Sequence, residues 1–359
     1  MFVAWRDLRF AKGRFALMGA VVVLITLLVG LLSGLTAGLA RENISAITGL
    51  PASRIAFADP GADQQVSFTN SQIGEKAWLG WRERPGVRLA EPIGIRTTNA
   101  VSGERTAGVS VFGVEPGGKV APAGLRQGEV ILSEKAAKEL GGIGAGGRLK
   151  LGPLELTVGA VSGTASYSHT PVVWADLTDW QRIGNPGTSI DTLATVIALD
   201  GSGVDWAAGD AATGTRSGTV DEALGAIGSY QAENGSLQLM RGFLFAISAL
   251  VIGAFFTVWT IQRSGDVAVL KALGASTPYL LKDALGQAVV MLVIGTGAGT
   301  LIAAALGVLI SGSDVPFVLD AATVLVPALV IIALGALGAA LSIRRITAVD
   351  PLTALGSAR

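Results

Sequence analysis

The chain has 359 residues, of which 50% are hydrophobic and only 15% are charged, and its formal net charge is zero. This composition is too apolar for an ordinary soluble domain and gives no electrostatic reason to expect a nucleic-acid partner. The lack of cysteine excludes disulfides and thiolate sites, and the single histidine excludes a multi-histidine metal site within one chain. We therefore expect a membrane protein without a metal site.

Four uncharged stretches are long enough to cross a bilayer, which takes about 20 apolar residues in a helix. We place transmembrane helices at residues 15–40, 242–262, 284–313 and 321–343. The first stretch exceeds the apolar core of about 7–15 residues that a secretory signal peptide has. We therefore interpret it as a signal anchor, with membrane lipids as its surroundings.

Lysine and arginine residues near the spans indicate the orientation, because cytoplasmic flanks are enriched in them. Basic residues occur in segments 1–14, 263–283 and 344–359, whereas the loop 311–320 has none. This distribution predicts a cytoplasmic N-terminal segment, loop and tail in a multi-pass protein of the bacterial plasma membrane. Residues 41–241 would then lie outside the cytoplasm.

Residues 41–241 alternate short β-type runs with glycine- and proline-containing turns, as at 54–57, 108–114 and 195–199. Two short helices are expected at 133–140, with Ser133 as N-cap and Gly141 after the end, and at 221–227. The predicted fold class is therefore an all-α four-helix transmembrane bundle plus an extracytoplasmic α+β domain. No catalytic triad, carboxylate pair or metal-ligand spacing stands out in the sequence of that domain, so we do not expect an enzyme.

No segment matches the phosphate-binding pattern G-x-x-x-x-G-K-[ST], since Gly117-Gly118-Lys119 is followed by Val120. The predicted spans also have no charged residue of the kind that carries an ion gradient. If the chain moves a substrate across the membrane, the energy is therefore expected to come from a separate subunit.

The loop 263–283 contains the sequence L-K-A-L-G-A at 270–275, and the tail contains D-P-L-T-A-L at 350–355 after a basic pair. On its own, the loop would be better explained as a plain helical connector. Together with one span, a large external domain and three further spans, these motifs resemble the permease subunits of MacB/FtsX-type ABC transporters. The stretch 128–141 is also similar to the external domain of that family, so the resemblance covers nearly the full length.

This resemblance implies a homodimer that binds two copies of a separate ABC ATPase subunit, which would bind and hydrolyse the ATP. It also implies that the loop 263–283 is part of the surface that couples the two subunits. The residues expected to contribute to that surface are Asp266, Val269, Leu270, Lys271, Leu273 and Gly274.

Within the family, segments 252–262, 166–173 and 230–233 are most similar to haem-exporting members, although related exporter branches share some of them. The resemblance implies outward movement of haem, as a substrate and not as a permanently bound cofactor. A haem site needs an axial ligand, an apolar slot and a cation for the propionates.

The outer end of the second span offers such groups, since residues 230–241, if helical, place a phenol, a carboxylate and a thioether on one face. Our candidate haem-binding residues are Tyr230, Glu233, Met240, Tyr167 and Arg41. The sequence does not assign axial ligation among them. Each also has an ordinary interpretation, as a membrane-boundary, packing, solvated or strand residue. We interpret His169, just before Thr170-Pro171, as structural.

Gly30, Gly34 and Gly38 form a small-residue face on the first span, which allows close helix approach either within one chain or between two chains. Two chains pairing there would enclose a slot open to lipid.

Two other functions remain open for a permease of this kind. One is extrusion of a lipid or a peptide, for which Tyr230, Glu233 and Met240 would be dispensable. The other is mechanotransmission, in which ATP hydrolysis moves the outer domain to activate an external hydrolase. An anchored external enzyme is less favoured, because one span would suffice to anchor it.

Overall fold

The computed structural model describes residues 12–184, 192–262, 265, 269–271, 273–310 and 315–347. The chain divides into two compact units. One unit is Leu39–Gly235, and the other combines Met1–Gly38 with Ser236–Arg359.

Among the described residues, four long apolar helices meet the length and hydropathy expected of membrane spans. They are α1 (Lys12–Thr48), α7 (Gly228–Gln262), α8 (Thr277–Ile310) and α9 (Ala321–Thr347). Their existence confirms the predicted four-span architecture. Helices α1 and α7 run further than the predicted spans, because polar residues 41–48 and 228–241 continue the helical backbone beyond the uncharged stretches.

Small residues let α1 and α8 lie close together in the unit that contains them. A methyl group added at Gly299 would meet the Thr26 side chain, and one at Gly30 would lie 3.0 Å from the Ala303 Cβ. A methyl group at Gly34 would overlap the Phe317 ring. The glycine face of the first span therefore has packing partners within the chain in this structure.

The other unit is built around a sheet of ten described strands in the order β10-β1-β9-β2-β3-β8-β4-β6-β5, with β7 paired to β8. The β3–β8 and β4–β6 pairs are parallel and the other strand pairs are antiparallel. The strands are β1 (Arg54–Ala58), β2 (Val87–Ser102), β3 (Arg105–Val114), β4 (Glu129–Leu132), β5 (Arg148–Leu151), β6 (Leu154–Val161), β7 (Ser166–Tyr167), β8 (Thr170–Asp176), β9 (Val196–Gly201) and β10 (Thr215–Thr219).

The described part of this α+β domain also has five short helices: α2 (Glu75–Arg82), α3 (Glu134–Glu139), α4 (Leu177–Ile183), α5 (Trp206–Thr213) and α6 (Val220–Leu224). The predicted cap of α3 is present, since Ser133 Oγ accepts a hydrogen bond from the Ala136 amide. Helix α6 starts just before the predicted segment, because Thr219 and Glu222 form a capping box there.

Trp180, the one tryptophan of helix α4, packs against the middle of the sheet. Gly94 of β2 and Gly113 of β3 are directly paired. A methyl group at either glycine would overlap Trp180, which is only 4% exposed. The glycine pair therefore forms the slot that holds α4 against the sheet.

Candidate functional site

The hairpin between β7 and β8 has an unusual two-residue turn. Tyr167 pairs with Thr170, and the two residues between them, Ser168 and His169, have φ angles of 49° and 63°. Positive φ at both central positions is the signature of a type I′ turn, which normally takes Asn-Gly. Because serine and histidine adopt this backbone at a cost, the surrounding structure must hold it.

The end of α1 and the start of α7 supply the contacts that hold the turn. The Ser168 amide donates to the Asn43 carbonyl oxygen at 2.9 Å, and the His169 amide donates to that of Glu42 at 3.3 Å. The Ser168 and Ser229 hydroxyl oxygens lie 2.8 Å apart. The turn is therefore fastened to two helices that are far from it in sequence.

The His169 side chain meets the Glu233 carboxylate, with Nε2 lying 2.8 Å from Oε2 and 3.0 Å from Oε1. Asn43 of α1, which is only 1% exposed, lies beside this pair, with its Nδ2 atom 3.1 Å from His169 Nε2. Its Nδ2 is 3.4 Å from Glu233 Oε2, and its Oδ1 accepts from the Ser229 hydroxyl at 2.7 Å. We call Asn43, Ser168, His169, Ser229 and Glu233 the His169–Glu233 cluster.

The contact with Glu233 bears on which imidazole nitrogen carries a hydrogen. An ionised carboxylate can only accept hydrogen bonds, so the hydrogen bond to Glu233 requires a hydrogen on His169 Nε2, whereas Asn43 Nδ2, 3.1 Å from the same nitrogen, could donate to it only in the other tautomer. With the hydrogen on Nε2, the other nitrogen of a neutral imidazole, Nδ1, keeps its lone pair. A histidine that donates one ring N–H to a carboxylate is the usual arrangement of a metal-ligating histidine. The His169 and Glu233 side chains are 31% and 44% exposed, so a ligand can reach them.

The structure brings Glu233 into this cluster, whereas the two tyrosines proposed with it are placed differently. Tyr167 is only 7% exposed, with its ring against Phe68 and Phe112. Burial raises the pKa of its hydroxyl above the ordinary value. This position disagrees with the expectation that Tyr167 binds haem, because the strand directs its side chain into the core. Tyr230 is partly buried and packs against the same core.

The remaining haem candidates are accessible. Arg41 is exposed on α1 in the Leu39–Gly235 unit. Met240 is 47% exposed and belongs to the other unit, on the helix that also carries Glu233. Residues 230–241 are helical, as the face argument required.

Sequence reasoning missed Asn43 and Ser229 and set His169 aside. Asn43 lies 126 positions before His169 and 186 before Ser229, so no local pattern links them. The available signal was Asn43 itself, an amide placed directly after the charged pair that follows the first span.

The proposed coupling loop ends in a well-formed helix C-terminus. The Gly274 amide donates to the Lys271 carbonyl and the Ala275 amide to that of Leu270, which is the Schellman pattern, with Gly274 at a φ of 95°. Val269 and Leu273 are 54% and 79% exposed. These apolar side chains are available to a partner, whereas Asp266 lies outside the described residues.

Comparison with known proteins identifies the family. Residues 239–351 match the FtsX-like permease C-terminal family. Over these residues the chain is an FtsX-like permease. The protein is a membrane subunit of the ABC transporter permease class, which works with a partner ATPase.

Relatives of this FtsX-like permease support the assignment over a longer range. It is 26% identical over 362 residues to the hemin transport system permease protein HrtB of Staphylococcus epidermidis, covering 99% of each chain. It is 24% identical over 275 residues to an ABC transporter permease of Mycobacterium tuberculosis, covering 76% of each. The periplasmic region of MacB from Actinobacillus actinomycetemcomitans aligns with 49% of this chain and 92% of that region, at 12% identity and a TM-score of 0.37, which is too low to establish a common fold.

Proposed function

We propose that this permease is the membrane subunit of an ABC efflux pump that exports haem, with ATP hydrolysed by a separate subunit. The observation that carries the proposal is the His169–Glu233 cluster, in which a carboxylate orients a partly exposed imidazole. The full-length similarity to HrtB, whose name describes hemin transport, supports haem as the substrate.

The proposed arrangement in the cell follows the charge distribution. Residues 1–14, 263–283 and 344–359 lie in the cytoplasm of a bacterium, and residues 41–241 lie outside the plasma membrane. Two copies of the chain form the working unit with two ATPase subunits. The exposed apolar residues Val269 and Leu273, in the middle of the 263–283 loop, face the ATPase.

The proposed haem site combines residues from the start of α7 with the turn. His169 offers Nδ1 to the iron, held in orientation by Glu233. Tyr230 contributes an aromatic face, and the Arg41 guanidinium pairs with a propionate. Met240, which belongs to the other unit, is a separate candidate for axial ligation that is proposed from the sequence. Haem enters as an apolar substrate from the outer leaflet and leaves when the two chains close.

The test is the Soret absorption spectrum of the purified full chain in detergent, titrated with haem. Wild type is expected to give a saturable, shifted band. His169→Asn, Glu233→Gln and Met240→Leu are the test variants, and at least one of the three is expected to weaken binding tenfold or more and to move the band. Tyr167→Phe is the matched control, since Tyr167 is buried in the aromatic core, and it is expected to bind like wild type.

Two results would overturn the haem assignment. One is the absence of a saturable band in wild type. The other is a band that all three test variants leave unchanged. Either result would leave an FtsX-like ABC permease whose substrate is a lipid or a peptide, or one that transmits force to an external hydrolase.

A further inference from the structure

The α+β domain contains a cavity, with a volume of about 380 Å³, between helix α4, strand β2 and residues 192–195, which precede β9. Part of its lining is apolar, from Phe68, Ile95, Tyr167 and Ala194. The Arg96 guanidinium lies 5.5 Å from the centre of the Trp180 ring, and both residues line the cavity.

Two of the side chains that line this cavity carry a buried donor without an acceptor. The Arg96 Nε and Trp180 Nε1 atoms are buried and make no hydrogen bond. Arg96 also makes no ion pair among the described residues. An unsatisfied buried donor costs about 1–3 kcal/mol of stability. A ligand that supplied acceptors to both donors would remove that cost.

Neighbouring polar groups do not supply that acceptor, because they are engaged with one another. The Ser71 hydroxyl donates to the Thr195 carbonyl, and the Thr192 hydroxyl donates to Gln72 Oε1. Thr97 is hydrogen-bonded to Ser110. No carboxylate lines the cavity among the residues that the structure describes. The positive charge of Arg96 and the two unsatisfied donors therefore favour an anion as the ligand of this cavity.

We propose that this cavity binds a small organic carboxylate. The carboxylate accepts hydrogen bonds from Arg96 and Trp180 Nε1, and its apolar body lies against Phe68 and Tyr167. Arginine suits this role because its planar donors match a carboxylate. The volume is in the range of small-molecule sites, about 300–1,000 Å³, and the apolar lining favours an organic anion over an inorganic one.

Calorimetric titration of the full chain in detergent tests the proposal, with 2-naphthoate as the probe. The neutral 2-naphthylmethanol has the same ring system, and inorganic phosphate has charge without the ring. Saturable binding of 2-naphthoate is expected, at least tenfold tighter than binding of either comparison compound. Arg96→Gln and Trp180→Phe, which removes the N–H and keeps an aromatic ring, should each weaken it about tenfold or more.

Arg96→Lys is the folding control, since it keeps the charge and loses the planar donors, and its affinity should lie between wild type and Arg96→Gln. Each variant is first shown to be folded, by a cooperative thermal transition, and is compared with wild type in haem titration, which should be unchanged. The proposal is overturned if 2-naphthoate does not bind, if 2-naphthylmethanol or phosphate binds as tightly, or if folded Arg96→Gln binds like wild type. None of these results depends on whether haem is the exported substrate.

Discussion

His169 Nε2 lies 2.8 Å from Glu233 Oε2, although the two residues are 64 positions apart in the chain. The first is in a β-turn and the second is near the start of a 35-residue helix. Their contact, together with Asn43 from α1, joins three chain segments through one polar network.

A double-mutant cycle measures this contact. His169→Asn keeps a residue that tolerates positive φ, and Glu233→Gln keeps an acceptor oxygen. Each is expected to lower the unfolding free energy, with a coupling energy of about 0.5–1 kcal/mol between them because both side chains are partly exposed. Chemical unfolding of the full chain in detergent provides the measurement. Additive effects of the two substitutions would show that the pair does not contribute to stability.

The buried hydroxyl of Tyr167 predicts that the folded protein loses stability at alkaline pH. Burial raises the pKa of its hydroxyl in the folded state, so below about pH 10 both states keep the proton. Above about pH 10 the unfolded chain releases it first, and stability falls by up to about 1.4 kcal/mol per pH unit until the folded pKa is reached. Unfolding curves at about pH 9 and about pH 11 should show a smaller drop for Tyr167→Phe than for wild type.

Tyr279→Phe is the matched control for that measurement, because the Tyr279 side chain is 53% exposed whereas that of Tyr167 is buried. It should retain the wild-type pH dependence. An equal drop in wild type and Tyr167→Phe would contradict the prediction.

The slot for Trp180 predicts that Gly113 does not tolerate a side chain. Gly113→Ala places a methyl group into the Trp180 side chain, which should lower the unfolding free energy by about 1–3 kcal/mol. Gly108→Ala, on the same strand with no atom within 4 Å of the added methyl group, should change it far less. Thermal unfolding of the two variants compares them directly, and equal midpoints would argue against the tight slot.

The helix end at Gly274 predicts a defect in coupling. Gly274→Ala places an alanine at a φ of 95°, which costs about 1 kcal/mol and disturbs the adjacent exposed Leu273. The expected result is reduced stimulation of the partner ATPase in a reconstituted complex, measured as the rate of ATP hydrolysis. Gly265 has no positive φ and has open space for an added methyl group, so Gly265→Ala should keep the wild-type rate of ATP hydrolysis. If Gly274→Ala stimulated ATP hydrolysis as well as wild type does, the prediction that this segment belongs to the coupling surface would be wrong.

Much of the fold follows from local sequence patterns. The uncharged stretches located four helices, and alternation with turn residues located strands β1, β3 and β9. Helix α3 was predicted from its cap residues, since Ser133 and Gly141 act through neighbouring backbone atoms. These features depend on residues close together in the chain, which is why the sequence alone is sufficient.

The candidate site was harder to predict, since its contacts join distant segments. Glu233 was proposed from the helix face, but its partners Asn43 and His169 are 190 and 64 positions away. Tyr167 was assigned to the site because its neighbours resemble a family motif, and the packing of Phe68 and Phe112 around it was not evident from the sequence. Packing of Gly30 and Gly34 within the chain likewise depends on which helix lies opposite.

The turn at Ser168 and His169 also makes its own amide protons informative. Both amides donate to carbonyl oxygens of α1, and neither residue has an intrinsic preference for its backbone conformation. If the end of α1 separates from the turn, both amides lose their acceptors at the same time as the turn loses the contacts that hold its backbone. Their hydrogen-exchange rates would therefore report, at two positions, how often this part of the domain opens as one cooperative unit.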